Sequence, residues 1–277
     1  MNQDKLSTLA QETLAICAAD CYVSASGYTV SLAGYLSNAV SGTLTYGPED
    51  FTTGKPNKER PSTLLEVTNE STLAAILRSA RGNPSQHLAC LNFASARTPG
   101  GGFQRGTMAQ EESLAYASGL YPCLASQPDF YTRQRAFGSA LYLDLAIFSP
   151  YVPFFRDEYD NLLEVTALAS VITAAAPNRR ALEEQRDVVA LKQIEAVLRR
   201  RAELVLALAY ARRVDYLILG AWGCGVFGND PRVVARIFAD LLTGNGRYAG
   251  VFEQVVFATL DRSADQNIFR AFTDALK

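Results

Sequence analysis

Residues Gly100 to Glu112, GGGFQRGTMAQEE, set a glycine run just ahead of two adjacent carboxylates. Three consecutive glycines present bare backbone and reach positive φ angles, which lets neighbouring N–H groups converge on an anion. Phosphate is the natural guest, with a carboxyl doing acid–base chemistry beside it. Thr107 and Gln110 have the spacing of a capping box, which predicts a helix from Met108 with Glu111 and Glu112 in its first turns. Successive helical residues point about 100° apart, so the two acids should have different tasks. Each half of the segment also has a bland counterpart. First-turn acids complement the helix dipole, and glycine runs make turns.

A second glycine-rich segment, GAWGCGVFGNDP, spans Gly220 to Pro231, where Asn229 or Asp230 can cap a helix whose first turn holds Pro231. A glycine loop opening a helix is an anion site, and two such loops facing one ligand suit a pyrophosphate. Gly223 to Gly228 is also a literal GxGxxG, which raises an NAD-dependent oxidoreductase as an alternative. The dinucleotide fingerprint wants a ribose-holding acid roughly 20 residues on, at the end of the next strand. Here that strand ends at Asp261, and the motif lies in the last unit of the chain, so this reading ranks well below.

The elements that must position these loops follow from hydrophobic periodicity. Strands are predicted at 63–67, 87–93, 140–148, 169–173, 214–219 and 254–259. Helices are predicted at 71–81, 110–126, 231–242 and 264–276, with a long one over 184–213, roughly 40 Å at about 1.5 Å per residue. Strands alternating with helices predict an α/β/α sandwich with a largely parallel or mixed sheet. Ligands bind there at loops leaving the carboxyl ends of strands. The segments after Phe93 and Leu219 are such loops.

The chain has 277 residues, 48% hydrophobic and 19% charged, without repeats or linker-like stretches, and is expected to form one domain over 1–277. A net charge of -2 and a pI near 5.6 argue against direct DNA binding, so a phosphate ligand must be gripped locally. The basic run Arg199 to Arg201 sits in the long helical pattern and reads as a solvated face. The N-terminus has neither a signal peptide's pattern nor a membrane-length apolar run, so a soluble cytoplasmic protein is expected.

His87 is the sole histidine, which removes most Ser-His-Asp and multi-histidine metal chemistry. Five scattered cysteines without CxxC pairs predict neither a disulfide scaffold nor a zinc site. No metal or cofactor is expected, and chemistry must rest on carboxylates. Trp222 and Phe227 could contact a ligand or plug the core. Tyr46, Tyr116 and Tyr121 read as structural or as an aromatic wall near the acidic helix, and Cys224 as a small filler.

The order Asn92, a Thr-Pro step, GGG, seven residues and QEE resembles the signature of poly(ADP-ribose) glycohydrolases, a catalytic branch of the macrodomain superfamily. The short chain resembles the bacterial-type members. EVTNEST at Glu66 to Thr72, VITAAAPN at Val171 to Asn178 and GAWGCGVFGNDP resemble further family segments in the right order, so the resemblance covers Glu66 to about Thr259. It implies a three-layer α/β/α macrodomain-like sandwich with a mixed central sheet and an N-terminal helical extension, residues 1–60, packed on the core.

The resemblance also implies roles. Glu112 would be the general acid that protonates the leaving ribose oxygen and then the base that activates water, and Glu111 would position the substrate ribose. Asn92 would hydrogen-bond that ribose, with Gly100, Gly101, Gly102 and Gln110 also on the substrate. Gly223, Cys224, Gly225, Val226, Phe227 and Gly228 would wrap the diphosphate, Phe227 packing behind the ribose, and Glu70 would accept from the adenine amino group. Implied partners are poly(ADP-ribose), ADP-ribose and poly(ADP-ribosyl)ated proteins, with no membrane, and a monomer is expected. A general acid must be protonated near neutral pH, whereas glutamate ordinarily titrates near 4.3. Burial and the Glu111 charge would push Glu112 up, and the helix N-terminus would push it down. An ADP-ribose reader without catalysis is the other alternative, and it has no need of QEE.

Overall fold

The computed structural model describes residues 2–51, 56–57, 60–82 and 86–277; the rest of the expected 1–60 extension, residues 1, 52–55 and 58–59, lies outside them. In chain order the elements are α1 (Gln3–Ala19), β1 (Cys21–Val23), β2 (Thr29–Ser31), α2 (Tyr35–Ser41), β3 (Leu44–Tyr46), β4 (Leu64–Thr68), α3 (Thr72–Ala80) and β5 (Leu88–Phe93). They continue with α4 (Gln110–Ala117), α5 (Leu120–Ala125), α6 (Pro128–Ala136), β6 (Ala146–Arg156), β7 (Leu162–Ala174), α7 (Arg179–Glu184) and α8 (Val188–Leu191). The last are α9 (Ile194–Ala211), β8 (Tyr216–Gly220), α10 (Pro231–Leu242), β9 (Gln254–Ala258) and α11 (Asn267–Ala275).

Seven strands form one mixed sheet in the order β3-β6-β7-β5-β8-β9-β4. The pairs from β7 to β4 are parallel, and β6 runs antiparallel to both its neighbours. Strands covered on both faces read as continuous apolar runs, as in LACLNF of β5 and VVF of β9. Alternate side chains serve opposite layers. Leu91, Leu217 and Val255 pack with Leu198, Val205, Phe238 and Phe272 of α9, α10 and α11. Cys90, Ile218 and Val256 pack with Ile76, Leu114, Leu124 and Phe130 of α3 to α6. This is the three-layer mixed α/β architecture expected. Among the described residues no helix is long and apolar enough to cross a membrane.

Several boundaries differ from the periodicity. The long helix expected over 184–213 is three helices, because Arg186 adopts a left-handed φ of 55° and Asp187 then caps the next turn by accepting from Ala190 N. The helix expected at 110–126 divides into α4 and α5. Pro122 in a continuous helix would clash with the carbonyl of Ser118, and Ser118 is extended (φ -152°, ψ 174°) and bridges Phe154 of β6. The strand expected at 140–148 begins at Ala146 and runs on to Arg156, and the one at 169–173 is the inner end of the thirteen-residue β7. Arg201, expected on a solvated face, is fully buried, donating to Leu141 O at 2.9 Å and Tyr142 O at 3.1 Å, and pairing with Asp144. Arg199 and Arg200 beside it do face outward.

The N-terminal segment packs directly beneath the acidic loop. Leu6, Leu9 and Ala10 of α1 bury Phe103, Ala115 and Tyr116, Gln3 Nε2 donates to Arg105 O at 2.9 Å, and Thr13 Oγ1 donates to Tyr116 O at 2.8 Å. Gly106, at φ 71°, lies so close to α1 that a Cβ there would sit 2.3 Å from Gln3 O. Residues 21–46 supply β1, β2, α2 and the edge strand β3.

Candidate active site

The carboxyl end of β5 positions the acids through Gln110. Its Oε1 accepts from Phe93 N at 2.8 Å, and its Nε2 donates to Leu91 O at 2.9 Å and Thr72 Oγ1 at 3.0 Å. The capping box expected from Thr107 and Gln110 is therefore absent. The helix starts at Gln110 after Ala109, which caps it without a side-chain bond. Thr107 Oγ1 donates instead to Glu112 Oε1 at 3.1 Å. Tying Gln110 to the strand end satisfies sheet-end backbone groups that would otherwise be buried without partners, and that outweighs a local cap.

Glu111 and Glu112 both lie in the first turn of α4 and both are buried, at 3% and 8% exposure. Glu111 is committed at both oxygens: Oε1 accepts from Asn92 Nδ2 at 3.2 Å and Oε2 from Ser95 N at 2.7 Å. Glu112 differs. Its Oε1 accepts from Gly102 N at 2.7 Å and from Thr107, while Oε2 has no hydrogen-bond partner among the described residues. One acid is thus held on both sides, and the other keeps an oxygen available. Asn92 is fully buried between Glu111 and Thr173 Oγ1, and its own Oδ1 is a buried acceptor without a hydrogen-bond partner among the described residues.

The glycines are required by closeness as well as by φ. Gly101 has φ 59°, and a Cβ on it would stand 2.4 Å from Glu112 Oε1 and 3.1 Å from Glu111 Oε2. On Gly102 it would meet Thr107 Oγ1. Gly100, at φ 63°, lies over the ring of Tyr121. The Tyr116 hydroxyl stands 2.9 Å from both Phe103 O and Thr107 O, tying the two ends of the loop from below.

Burial, with the Glu112 charge as a lesser contribution, pushes Glu111 up from 4.5 to about 8, against hydrogen bonds from Ser95 and Asn92 that pull it down. Glu111 is thus largely protonated at neutral pH. A carboxyl raised in the folded state binds its proton more tightly there than in the unfolded chain. Its ionisation therefore costs stability progressively from about pH 4.5 to about pH 8 and in full above that range. Glu111→Gln is expected to melt close to the parent at pH 4 and to exceed it by up to a few kcal/mol at pH 8. Melting curves at the two pH values check this, and a constant difference between the proteins would mean that the carboxyl is unshifted.

The second glycine loop follows β8. Trp222 Nε1 donates to Ala174 O at 2.9 Å, and Asn229 Nδ2 donates to Pro177 O at 2.9 Å and Gly223 O at 3.1 Å, fastening the loop to the exit of β7. Asp230 caps α10 by accepting from Arg232 N, with Pro231 in its first turn. Gly223 and Gly228 have φ of 74° and 72°, Gly225 faces open space, and Val226 is 68% exposed. Phe227 packs on Ala94, Ala96, Ala175 and Tyr142. Burial, aided by the Asp230 charge, pushes the Cys224 thiol up to about 12, so it is no nucleophile.

A cleft of about 650 Å³ runs from Phe93, Ala221 and Gly225 past Gln110 and Ser113 to Glu70 and the β6–β7 turn at Tyr159. Glu70 borders it with one oxygen paired to Arg78 Nη2 at 2.7 Å. The structure therefore brings the acids, Asn92 and the GGG run together; the cleft is lined by Gln110, next to the acids, and by Ala221 and Gly225 of the second loop, and neither the acids, Asn92 nor the GGG run lines it. His87 lies at the other end of β5, its Nε2 2.8 Å from Ser170 Oγ and its ring stacked on Tyr151. Thr107, Thr173, Ser95, Tyr116 and Trp222 complete the site's scaffold. From sequence Ser95 and Thr173 had no role and Thr107 read as a cap, because their partners lie on other elements.

The microbial-type PARG catalytic domain family matches residues 10–157. Poly(ADP-ribose) glycohydrolase from Thermomonospora curvata is 42% identical, covering 98% of this chain and 99% of its own, with a TM-score of 0.90. The same organism's enzyme bound to the inhibitor ADP-HPD is 43% identical, with the same coverage and TM-score. The glycohydrolase from Deinococcus radiodurans in complex with ADP-ribose is 42% identical over 89% of this chain and 98% of its own, with a TM-score of 0.79. No curated protein matches. With a family model over residues 10–157 and a relative 42% identical over 98% of the chain, the chain belongs to the microbial-type poly(ADP-ribose) glycohydrolase family.

Proposed function

We propose that this protein hydrolyses the ribose–ribose O-glycosidic bonds of poly(ADP-ribose) to release ADP-ribose, with Glu112 as general acid and base and Glu111 as the positioning acid. The observation that carries the assignment is the asymmetry of the pair: Glu111 is bound at both oxygens, whereas Glu112 keeps Oε2 open beside the GGG loop. In the reaction, the C1″–O2′ bond breaks, O2′ takes the proton of Glu112, and water adds to C1″ while giving its proton to the resulting carboxylate. Glycosidic cleavage passes through an oxocarbenium-like state, and the substrate diphosphate offsets positive charge on the sugar. Neutral Glu111 keeps the pair from carrying two charges.

Gly100, Gly101 and Gly102 would approach the diphosphate and distal ribose, and Asn92 Oδ1 would accept from a ribose hydroxyl. The loop from Gly223 to Gly228 would wrap the diphosphate, Phe227 backing the ribose, and Glu70 would accept from the adenine amino group with the oxygen that Arg78 leaves open. Gln110 spends its amide on protein partners, so its part is to hold the acids against β5. Poly(ADP-ribosyl)ated proteins would carry the substrate. The protein is proposed to act as a cytoplasmic monomer. Incubation with poly(ADP-ribose) and chromatography of the products is the test. Free ADP-ribose is expected, and tight binding without release would make the protein a reader.

A further inference from the structure

We propose that Arg97 and Arg135 form a subsite for the diphosphate of the leaving ADP-ribose unit, the one whose 2′ oxygen departs; this rests on the glycohydrolase reading above. The chain's net charge of -2 gives no general attraction for a polyanion, so its grip must come from local cations. Arg97 and Arg135 are both exposed. The Arg97 side chain makes no hydrogen bond or ion pair with another described residue. Arg135 is fixed in place, donating from Nη1 to Arg97 O at 2.7 Å and from Nη2 to Thr132 Oγ1 at 3.1 Å. The acid of α6, Asp129, sits in its first turn, away from Arg135 in its last.

Their position relative to the acids defines the subsite. Arg97 is two residues from Ser95, whose N–H donates to Glu111 Oε2, so the two Cα atoms are at most about 7 Å apart. Neither arginine lines the cleft; Gln110 and Ser113, which flank the acids in sequence, line it, whereas Arg97 adjoins Glu111 through Ser95. On the glycohydrolase reading, an ADP-ribose unit bound along the cleft puts its distal ribose at the acids, and the next unit has to continue on their other flank. The diphosphate of that unit lies only a few covalent bonds from the departing oxygen. A guanidinium offers a planar fork that matches phosphate oxygens, and two of them beside the loop can meet both phosphates. An arginine whose side chain pairs with no other described residue, next to the loop that holds both acids, has no structural task among them to explain it.

Arg97→Ala and Arg97→Glu test the subsite without touching a fold contact. Three measurements are compared with the parent: KM and kcat on poly(ADP-ribose), kcat/KM on an ADP-ribose carrying an uncharged aryl alcohol at C1″, and ADP-ribose affinity by calorimetry. KM for the polymer is expected to rise about two- to fivefold in the alanine variant and further in the glutamate variant. Its salt dependence should become shallower as one phosphate contact is lost. The aryl substrate and ADP-ribose should be handled as by the parent. An unchanged polymer KM in both variants overturns the subsite, as does an equal loss on the aryl substrate or on ADP-ribose. A parent protein that binds ADP-ribose and leaves the polymer intact overturns the glycohydrolase reading itself and the subsite with it.

Discussion

Glu112→Gln is expected to lower turnover of poly(ADP-ribose) by about 10²–10⁴-fold, the range for loss of a general acid–base group, while ADP-ribose binding stays close to that of the parent. The substitution is nearly isosteric, so Gln Oε1 can still accept from Gly102 N at the 2.7 Å position and the loop should keep its shape. What disappears is the ability to give a proton to the departing oxygen and to take one from water. Single-turnover release of ADP-ribose, with calorimetry and melting on the same preparation, separates these effects. A folded variant with full turnover would falsify the role of Glu112. A loss confined to affinity would instead make it a binding residue.

Gly101→Ala should be nearly as damaging, for a steric reason. At φ 59° the backbone there is in the left-handed region, and the new methyl would stand 2.4 Å from Glu112 Oε1 and 3.1 Å from Glu111 Oε2. Both acids cannot stay in place, and a misplacement on the order of 1 Å costs roughly 10²-fold in rate. Gly27→Ala provides the control. Gly27 also has a positive φ, 83°, but a Cβ there meets nothing within 4 Å, so it carries the backbone strain without the contact. A kcat loss in Gly101→Ala that Gly27→Ala does not share assigns the effect to the acids. Equal kinetics in the two variants would show that the close approach has no catalytic meaning.

Much of this site was legible in one dimension because its central motifs are contiguous. Bare backbone followed by adjacent acids is a local pattern, and so is the capped start of α10 after a second glycine loop. The apolar runs of β5, β8 and β9 were legible for a related reason: strands buried on both faces need no partner to be recognised. Short edge elements such as β3 carry too few residues for a period, and they exist because β6 offers an open edge to pair with. The breaks after Ser118 and at Arg186 interrupt continuous apolar patterns, so periodicity passed over them.

The roles inside the site depended on distances between remote residues. Thr107 reads as a cap from its spacing, yet its hydroxyl is spent on Glu112 because Gln110 is drawn away to Phe93, Leu91 and Thr72. Arg201 reads as a surface charge, yet it is buried against carbonyls some sixty positions earlier. The sequence by itself determined which side chains could do chemistry, singled out the carboxylates for it, and offered two glycine loops that could face one phosphate-bearing ligand. Tertiary structure alone decided which acid is locked and which keeps a free oxygen, and that burial raises Glu111 to about 8. Chemical type is a property of the residue, whereas desolvation and hydrogen-bond occupancy are properties of what the fold packs around it.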